Sequence, residues 1–451
     1  MEPPRLSSGF ATKPKKQVKE QSERMKTYFK ECRAYLLLWS TQSLSQLGSA
    51  MTSFALTLWV YEKTGSALQT ALLSVCFYAP YVLGSIFAGA LTDRWNKKAI
   101  MLSCDAIAAC CTVVVLILLQ AGRLEPMHMY GLNLLNGLMN TAQQPAGDVA
   151  MTLLIPTKYY QQTSGLRSFS QSLITILNPV LATLVFALWG LETVIALDLT
   201  TFAAAFAALG WGVRLPAQPL APKQALRQTV RSGLAYLRAR PLALTLIFFL
   251  AAVNLVASAF EAVLPALVLP HENGGEVALG LVNACAGVAT LAGSVLVMLL
   301  PAPQNRVRVI YLTMLASLGV ENFLLAFGRT PLVWCLAQFV GWLPVPVMQA
   351  NLDVVLRTQI PLELQGRVYA CRNTLQYFTI PVGLMAGGWM VDALCEPLMA
   401  SAPAGEALSV LFGAGKGSGA ALAMFGLGVF GVGVCLAFRS RLKRYWRGSQ
   451  S

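Results

Sequence analysis

Long apolar runs alternate with short polar interruptions from about residue 34 to residue 438. The runs cover 34–60, 67–92, 99–121, 128–152, 163–187, 191–213, 241–269, 277–300, 309–328, 331–353, 370–394 and 419–438. Each is close to the ~20 residues that a bilayer's hydrocarbon thickness demands of a helix. The period-two alternation of a membrane barrel is missing. The pattern predicts an all-α membrane protein with twelve transmembrane helices. Its sharpest interruption is GALTDRWNKKAIMLSCD, residues 89–105, where Asp93, Arg94, Lys97, Lys98 and Asp105 place five charges in thirteen positions. A soluble core would reject them, whereas a short loop between two membrane helices accommodates them.

Composition agrees. Apolar residues make up 56% of the 451 and charged residues 12%, about half the usual globular share, so much of the surface must face lipid. Lysine and arginine set the orientation. With the N-terminus inside, the inner segments carry thirty of them, and the outer loops carry only Lys63, Arg123, Arg329 and Lys416. That bias predicts both termini in the cytoplasm. The net charge of +14 then needs no nucleic acid. The basic tails 1–33 and 439–451, with KPKKQVKEQSERMKTYFK and RSRLKRYWRG, are expected to lie against anionic lipid. No cleavable signal peptide is evident. The ten cysteines form no CxxC pair, and most sit within apolar runs, where cysteine acts as a small hydrophobe.

A repeat organises the spans. Asp148-VAMTLLI-Pro156 and Asp353-VVLRTQI-Pro361 match in order and spacing, 205 residues apart, each at the end of a fourth span. This predicts two six-helix halves, 34–213 and 241–438, related by a parallel repeat. Between them, 214–240 reads as a cytoplasmic linker. Pro216, Pro219 and Pro222 precede a helix with Leu226, Val230, Leu234 and Leu237 on one face and Arg227, Arg231 and Arg238 on another, suited to a membrane surface.

In this topology Gly89-x-Leu91-x-Asp93-Arg94-x-x-Lys97-Lys98, between spans two and three, resembles the signature loop of the major facilitator superfamily. WVYEKTGSAL at 59–68 and Pro361-x4-Gly366-Arg367-Val368 resemble the macrolide and siderophore exporter branch of its drug:proton antiporters. The resemblance implies the major facilitator fold, with spans 1, 2, 4, 5, 7, 8, 10 and 11 around a central cavity. It also implies a conformational latch built from Asp93, Arg94, Lys97, Lys98, Asp105 and Arg367. On the residues alone, the same cluster could serve only to fix topology. Asn96 stands where the family usually has Gly, and PAPQNRVRV at 301–309 lacks the loop's Asp. In the fifth span Asn178 precedes Pro179 where the pattern usually has Gly, weakening one site of close helix packing.

Polar side chains are costly in lipid, so their stripes point inward. Span one carries Gln42, Ser45, Gln46, Ser49 and Ser53; span four Asn133, Asn136, Asn140 and Gln144; span seven Asn254, Ser258 and Glu261; span eleven Asn373, Gln376 and Tyr377. Each residue is either interhelical glue, worth about 0.6 kcal/mol per hydrogen bond, or a substrate contact. The candidate cavity set is Gln42, Gln46, Asn136, Asn140, Gln144, Asn254, Ser258, Asn373, Gln376 and Tyr377. Glu261 is the proton-coupling candidate, because an acid with no Lys or Arg at its depth can exchange a proton with a water-filled cavity. Asp198 and Glu321, on peripheral spans in that plan, read as packing partners, and Asp148 and Asp353 as inner-gate residues. FGAGKGSG at 412–419 is no phosphate loop, since Val410 and Gly417 stand where Gly and Ser or Thr are required. His128 and His271 offer no metal site.

The expectation is therefore a secondary active exporter of amphiphilic small molecules by proton antiport with alternating access. It would be a monomer in the cell membrane, with no enzymatic activity, cofactor or metal, and with substrate, protons and lipids as its partners. Siderophore or lysolipid export, or a non-transporting receptor or assembly factor on the same scaffold, are the alternatives.

Overall fold

The computed structural model describes residues 27, 29–92, 95–156, 159–215, 234–301, 303–360, 362–401 and 404–445. Asp93, Arg94 and most of the 214–240 linker lie outside them, as do the side chains of Asp148 and Arg367. Among the described residues every regular element is helical.

In the first half these are α1 (Arg33–Thr64), α2 (Ala67–Thr92), α3 (Lys97–Gln120), α4 (Pro126–Leu153) and α5 (Tyr160–Ala207). α5 is two crossings in one, because Gly190 at its middle has φ +78°, a conformation open to glycine at little cost. The second half has α6 (Pro241–Val268), α7 (Glu276–Leu299), α8 (Arg306–Phe327), α9 (Pro331–Trp342), α10 (Val345–Gln359), α11 (Leu362–Tyr377), α12 (Thr379–Trp389), α13 (Glu396–Ala400), α14 (Ala404–Phe412) and α15 (Ser418–Lys443). Pairs α9–α10 and α11–α12 are single crossings broken by proline. Pro381, for example, has no N–H to give the carbonyl of Tyr377 four residues back. Short π-helical turns follow α5 at Ala208–Gly212 and α12 at Met390–Cys395.

Nine stretches among the described residues are long and apolar enough to cross a bilayer, and Phe169–Gly212 among them contains the Gly190 break. α1 and α4 have the length but are diluted by their polar stripes. The set is consistent with twelve crossings.

Packing repeats between the halves. α2 lies on α4 and α3 on α4, as α7 lies on α9 and α8 on α10. α1 packs along α5, as α6 packs along α12 and α15. The halves meet along two seams, α2 against α12 and α6, and α5 against α7. At the second seam Gly280 and Gly287 of α7 abut Pro179, Thr183 and Ile176 of α5. The close approach that Asn178-Pro179 does not supply is thus supplied by glycines on the opposite helix. The largest apolar core runs through the second half around Phe249, Trp334 and Met424, and the first half holds two smaller ones.

Candidate functional site

The first half encloses a cavity of about 730 Å³. Its walls come from α1, α2, α3, α4 and α5, with Ile155 from the link between the last two. Five sequence candidates line it: Gln42, Gln46, Asn136, Asn140 and Gln144. Their helical spacing brings them to one side of α1 and α4. Asp105 also lines it, buried on α3, where the Gln143 amide of α4 donates to its Oδ1. Asp105 therefore sits inside the helical bundle, two turns into α3, and not at the loop with the other candidate latch residues. Its Oδ2 has no hydrogen-bond partner. Gln42 lies beside it, yet its Nε2 makes no hydrogen bond. Farther along α1, Ser49 donates to Asp198 Oδ1 at 2.9 Å. Asp198 faces the same cavity, so it is more than the packing residue its peripheral span suggests.

Of the loop, Lys97 and Lys98 are described. Lys98 donates from Nζ to the carbonyls of Gly210 at 2.9 Å and Val213 at 2.7 Å. It thus ties α3 to the carboxyl end of the sixth crossing, where a cation is favoured by the helix dipole. Among the described residues, Lys97 reaches the carbonyl of Trp95 at 3.4 Å. Asn96 has a structural task of its own: its Oδ1 accepts from the backbone N–H of Lys98 and Ala99, capping α3.

In the second half the polar stripes bond to protein groups, one contact between helices and two within a helix. Asn254 donates to the Gln376 carbonyl at 3.2 Å, Ser258 to the Asn254 carbonyl at 2.6 Å, and Arg372 Nε to Gln376 Oε1 at 3.1 Å. Asn373 is exposed and Tyr377 half-buried. Glu321 is buried between α8 and α9, close against Gly341, a packing position. Glu261 is different. It is exposed on α6 and faces Tyr78 of α2 across the seam. Beside it Ala71, Ala262 and Leu384 close an apolar contact among α2, α6 and α12.

The sequence reading missed a contact at the end of the bundle opposite the start of α1 and the end of α15. Asp392, just past α12, accepts from Ser66 Oγ at 2.5 Å, Ala67 N at 3.0 Å and Leu68 N at 2.9 Å. A carboxylate from the second half thereby satisfies the free N–H groups that begin α2 in the first half. Gly388, one turn earlier, lies against the Leu68 backbone. Four residues on, Glu396 accepts from Gly417 N at 3.2 Å and serves α15 in its own half. Asp392 was legible only as one more acid at a span's end. Gln143, also missed, falls on the α4 stripe three residues after Asn140. Among the described residues no group of three His, Cys, Asp or Glu is placed to hold a metal.

Comparison with known proteins matches residues 38–384 to the Major Facilitator Superfamily model. Macrolide efflux protein A of Streptococcus pyogenes is 26% identical over 369 residues, covering 80% of this chain and 90% of that protein. Multidrug efflux pump Tap of Mycolicibacterium fortuitum is 23% identical over 360 residues, covering 77% and 86%. Among solved structures, a bacterial homolog of the human lysosomal transporter Spinster, inward-facing and occupied, aligns with TM-score 0.68 at 15% identity, over 92% of this chain and 97% of that one. The nucleoside transporter NupG aligns with TM-score 0.64 at 12% identity, over 91% and 99%. The folds agree at identities too low to carry a substrate. With a family match over most of its length, this chain is a multi-pass membrane protein belonging to the Major Facilitator Superfamily.

Proposed function

We propose that the chain exports amphiphilic small molecules from the cytoplasm across the cell membrane by alternating access, in exchange for protons. The observation that carries this reading is Glu261, a carboxylate at the seam of the two halves with a tyrosine of the other half before it. Adding or removing a proton there changes the charge at the surface along which the halves must part. A group that meets its partner in only one conformation biases the equilibrium between conformations. The macrolide and multidrug efflux relatives support the direction of transport. The lysine and arginine asymmetry supports termini in the cytoplasm, and Asp93, Arg94, Lys97, Lys98 and Arg367 are the proposed latch at that face.

The test is uphill efflux of a lipophilic dye from energised cells, with and without an uncoupler. Glu261→Gln should abolish uphill efflux while retaining downhill exchange. Undiminished uphill efflux by that variant removes Glu261 as the coupling group. Gradient-independent behaviour of the wild type removes proton antiport altogether. Single cysteines at Thr64 and Gly415 should label from outside and one at Asn96 only from inside; the reverse overturns the orientation.

A further inference from the structure

The cavity within the first half has a chemistry that export of amphiphiles does not by itself require. Two buried acids face it, Asp105 at 6% exposure and Asp198 at 5%. The hydrogen bonds that hold them come from neutral donors, Gln143 to Asp105 and Ser49 to Asp198. Asp105 Oδ2 and Gln42 Nε2 are buried there beside each other, and neither has a partner within good hydrogen-bond geometry. Gln42 is itself only 9% exposed. Among the described lining residues the sole basic one is Arg167, exposed and near the start of α5.

A carboxylate taken out of water costs several kcal/mol unless a counter-charge joins it. Native proteins rarely leave buried polar atoms unpaired without reason. An anionic ligand would meet two acids and so be repelled. A small metal ion would find too few ligands gathered at either one. The rest of the wall mixes neutral amides and hydroxyls with apolar side chains, among them Trp39, Phe77, Phe202 and the flexible thioethers of Met101, Met139 and Met151. Such methionines adapt to varied shapes, and aromatic faces attract cations. At about 730 Å³ the space lies within the roughly 300–1,000 Å³ common to small-molecule sites.

We propose that this cavity binds an amphiphilic organic cation, with Asp105 as counter-charge to its head and Asp198 as a second acceptor farther along α1. The neighbours of the two acids on α1, Gln42 and Ser49, are seven residues apart, or about 10 Å at the helical rise. The apolar body lies against Trp39, Phe77 and the methionines. The proposal rests on the export reading for its purpose, but not for its test.

Tetraphenylphosphonium and tetraphenylborate share a shape and differ in the sign of their charge. Titrated into the purified full chain in detergent, the cation should bind saturably and the anion should not. Asp105→Asn should weaken binding of the cation on the order of thirtyfold or more, and Asp105→Glu should largely retain it. Ala108→Phe, one turn along α3 and also facing the cavity, should obstruct the cation while leaving both acids in place. It keeps the site open to disproof if Asp105→Asn fails to fold. Equal binding of both ions, or unchanged cation binding by folded Asp105→Asn or Ala108→Phe, overturns the site. Dye efflux in cells is measured separately. Asp105-dependent cation binding without energised efflux keeps the site and removes export. Energised efflux with cation binding indifferent to Asp105 removes the site and keeps export.

Discussion

α6 buries 17 of its 28 residues, and Ser258 is the one polar side chain among them. Its counterpart α1, in the equivalent place of the first half, buries 11 of 32, including Gln42, Ser45 and Thr52. The helices repeat, but what fills the space between them does not. In the second half apolar side chains close around Phe249 and Trp334. In the first, amides, hydroxyls and two acids surround a hollow. A rocking transporter needs bodies that hold their shape while the contact between them changes. The difference suggests that the second half supplies a rigid body and the first carries more of the recognition chemistry.

The largest expected effect tests the packing side of that contrast. Trp334 is fully buried, its Nε1 donating to the Gly328 carbonyl at 3.0 Å. Trp334→Ala should cost about 3–5 kcal/mol of stability, read as a large drop in the thermal unfolding midpoint in detergent. Ala108→Leu adds volume to the hollow half and should change stability by less than about 1 kcal/mol, because the added methyls enter empty space and not a filled core. Similar losses for the two would mean that the first half is as tightly packed as the second.

A smaller effect is expected where the halves touch. The Asp392 carboxylate makes three hydrogen bonds to the start of α2, and bonds to a charged group each contribute about 1.5–3 kcal/mol. On the proposed alternating-access reading they would be lost when that end of the bundle opens, with water replacing part of them, so Asp392→Ala should shift the open-to-closed ratio on the order of tenfold or more. Spin labels at Gln69 and Leu398, in a background freed of native cysteines, would report it as growth of a longer distance. An unchanged distribution would make the contact incidental to closure.

Much of the fold was legible because lipid writes a strong rule. Apolar length locates the crossings, and most helices start and end within a few residues of the runs, although the eleventh begins at Leu362, eight residues before its run, because its first two turns are polar. Polar interruptions were equally readable as stripes. Their assignment was not, since glue and lining look alike in one dimension. Asn254 and Gln376 turned out to join α6 to the broken eleventh crossing, while Asn136 and Asn140 face a cavity. The role of Asp392 was hidden for a different reason. Its partners are backbone N–H groups more than 300 residues away, and backbone donors leave no mark in a sequence. Asp105 misled by proximity, being a few residues from a charged loop yet turned into the bundle by two turns of helix. Gly280 and Gly287 show the converse, a packing need met by the opposite helix of the seam where Pro179's own neighbour is not a glycine.

The smallest expected effect concerns a feature the halves share despite their different interiors. Asn96 caps α3 through Lys98 N and Ala99 N, and Asn305 caps α8, the equivalent helix of the second half, through Arg308 N at 2.9 Å. The second loop lacks the aspartate of the first but keeps this asparagine. The reason is local: an asparagine oxygen satisfies N–H groups that a helix start leaves free, whichever half surrounds it. Asn96→Ala and Asn305→Ala should each cost about 1 kcal/mol, and Asn→Gly at either position only a few tenths. A much larger loss of transport at Asn96 than at Asn305, with equal losses of thermal stability, would show that the first loop does conformational work that the second does not. Equal losses on both measures would leave Asn96 as a cap alone and place any latch in Asp93 and Arg94.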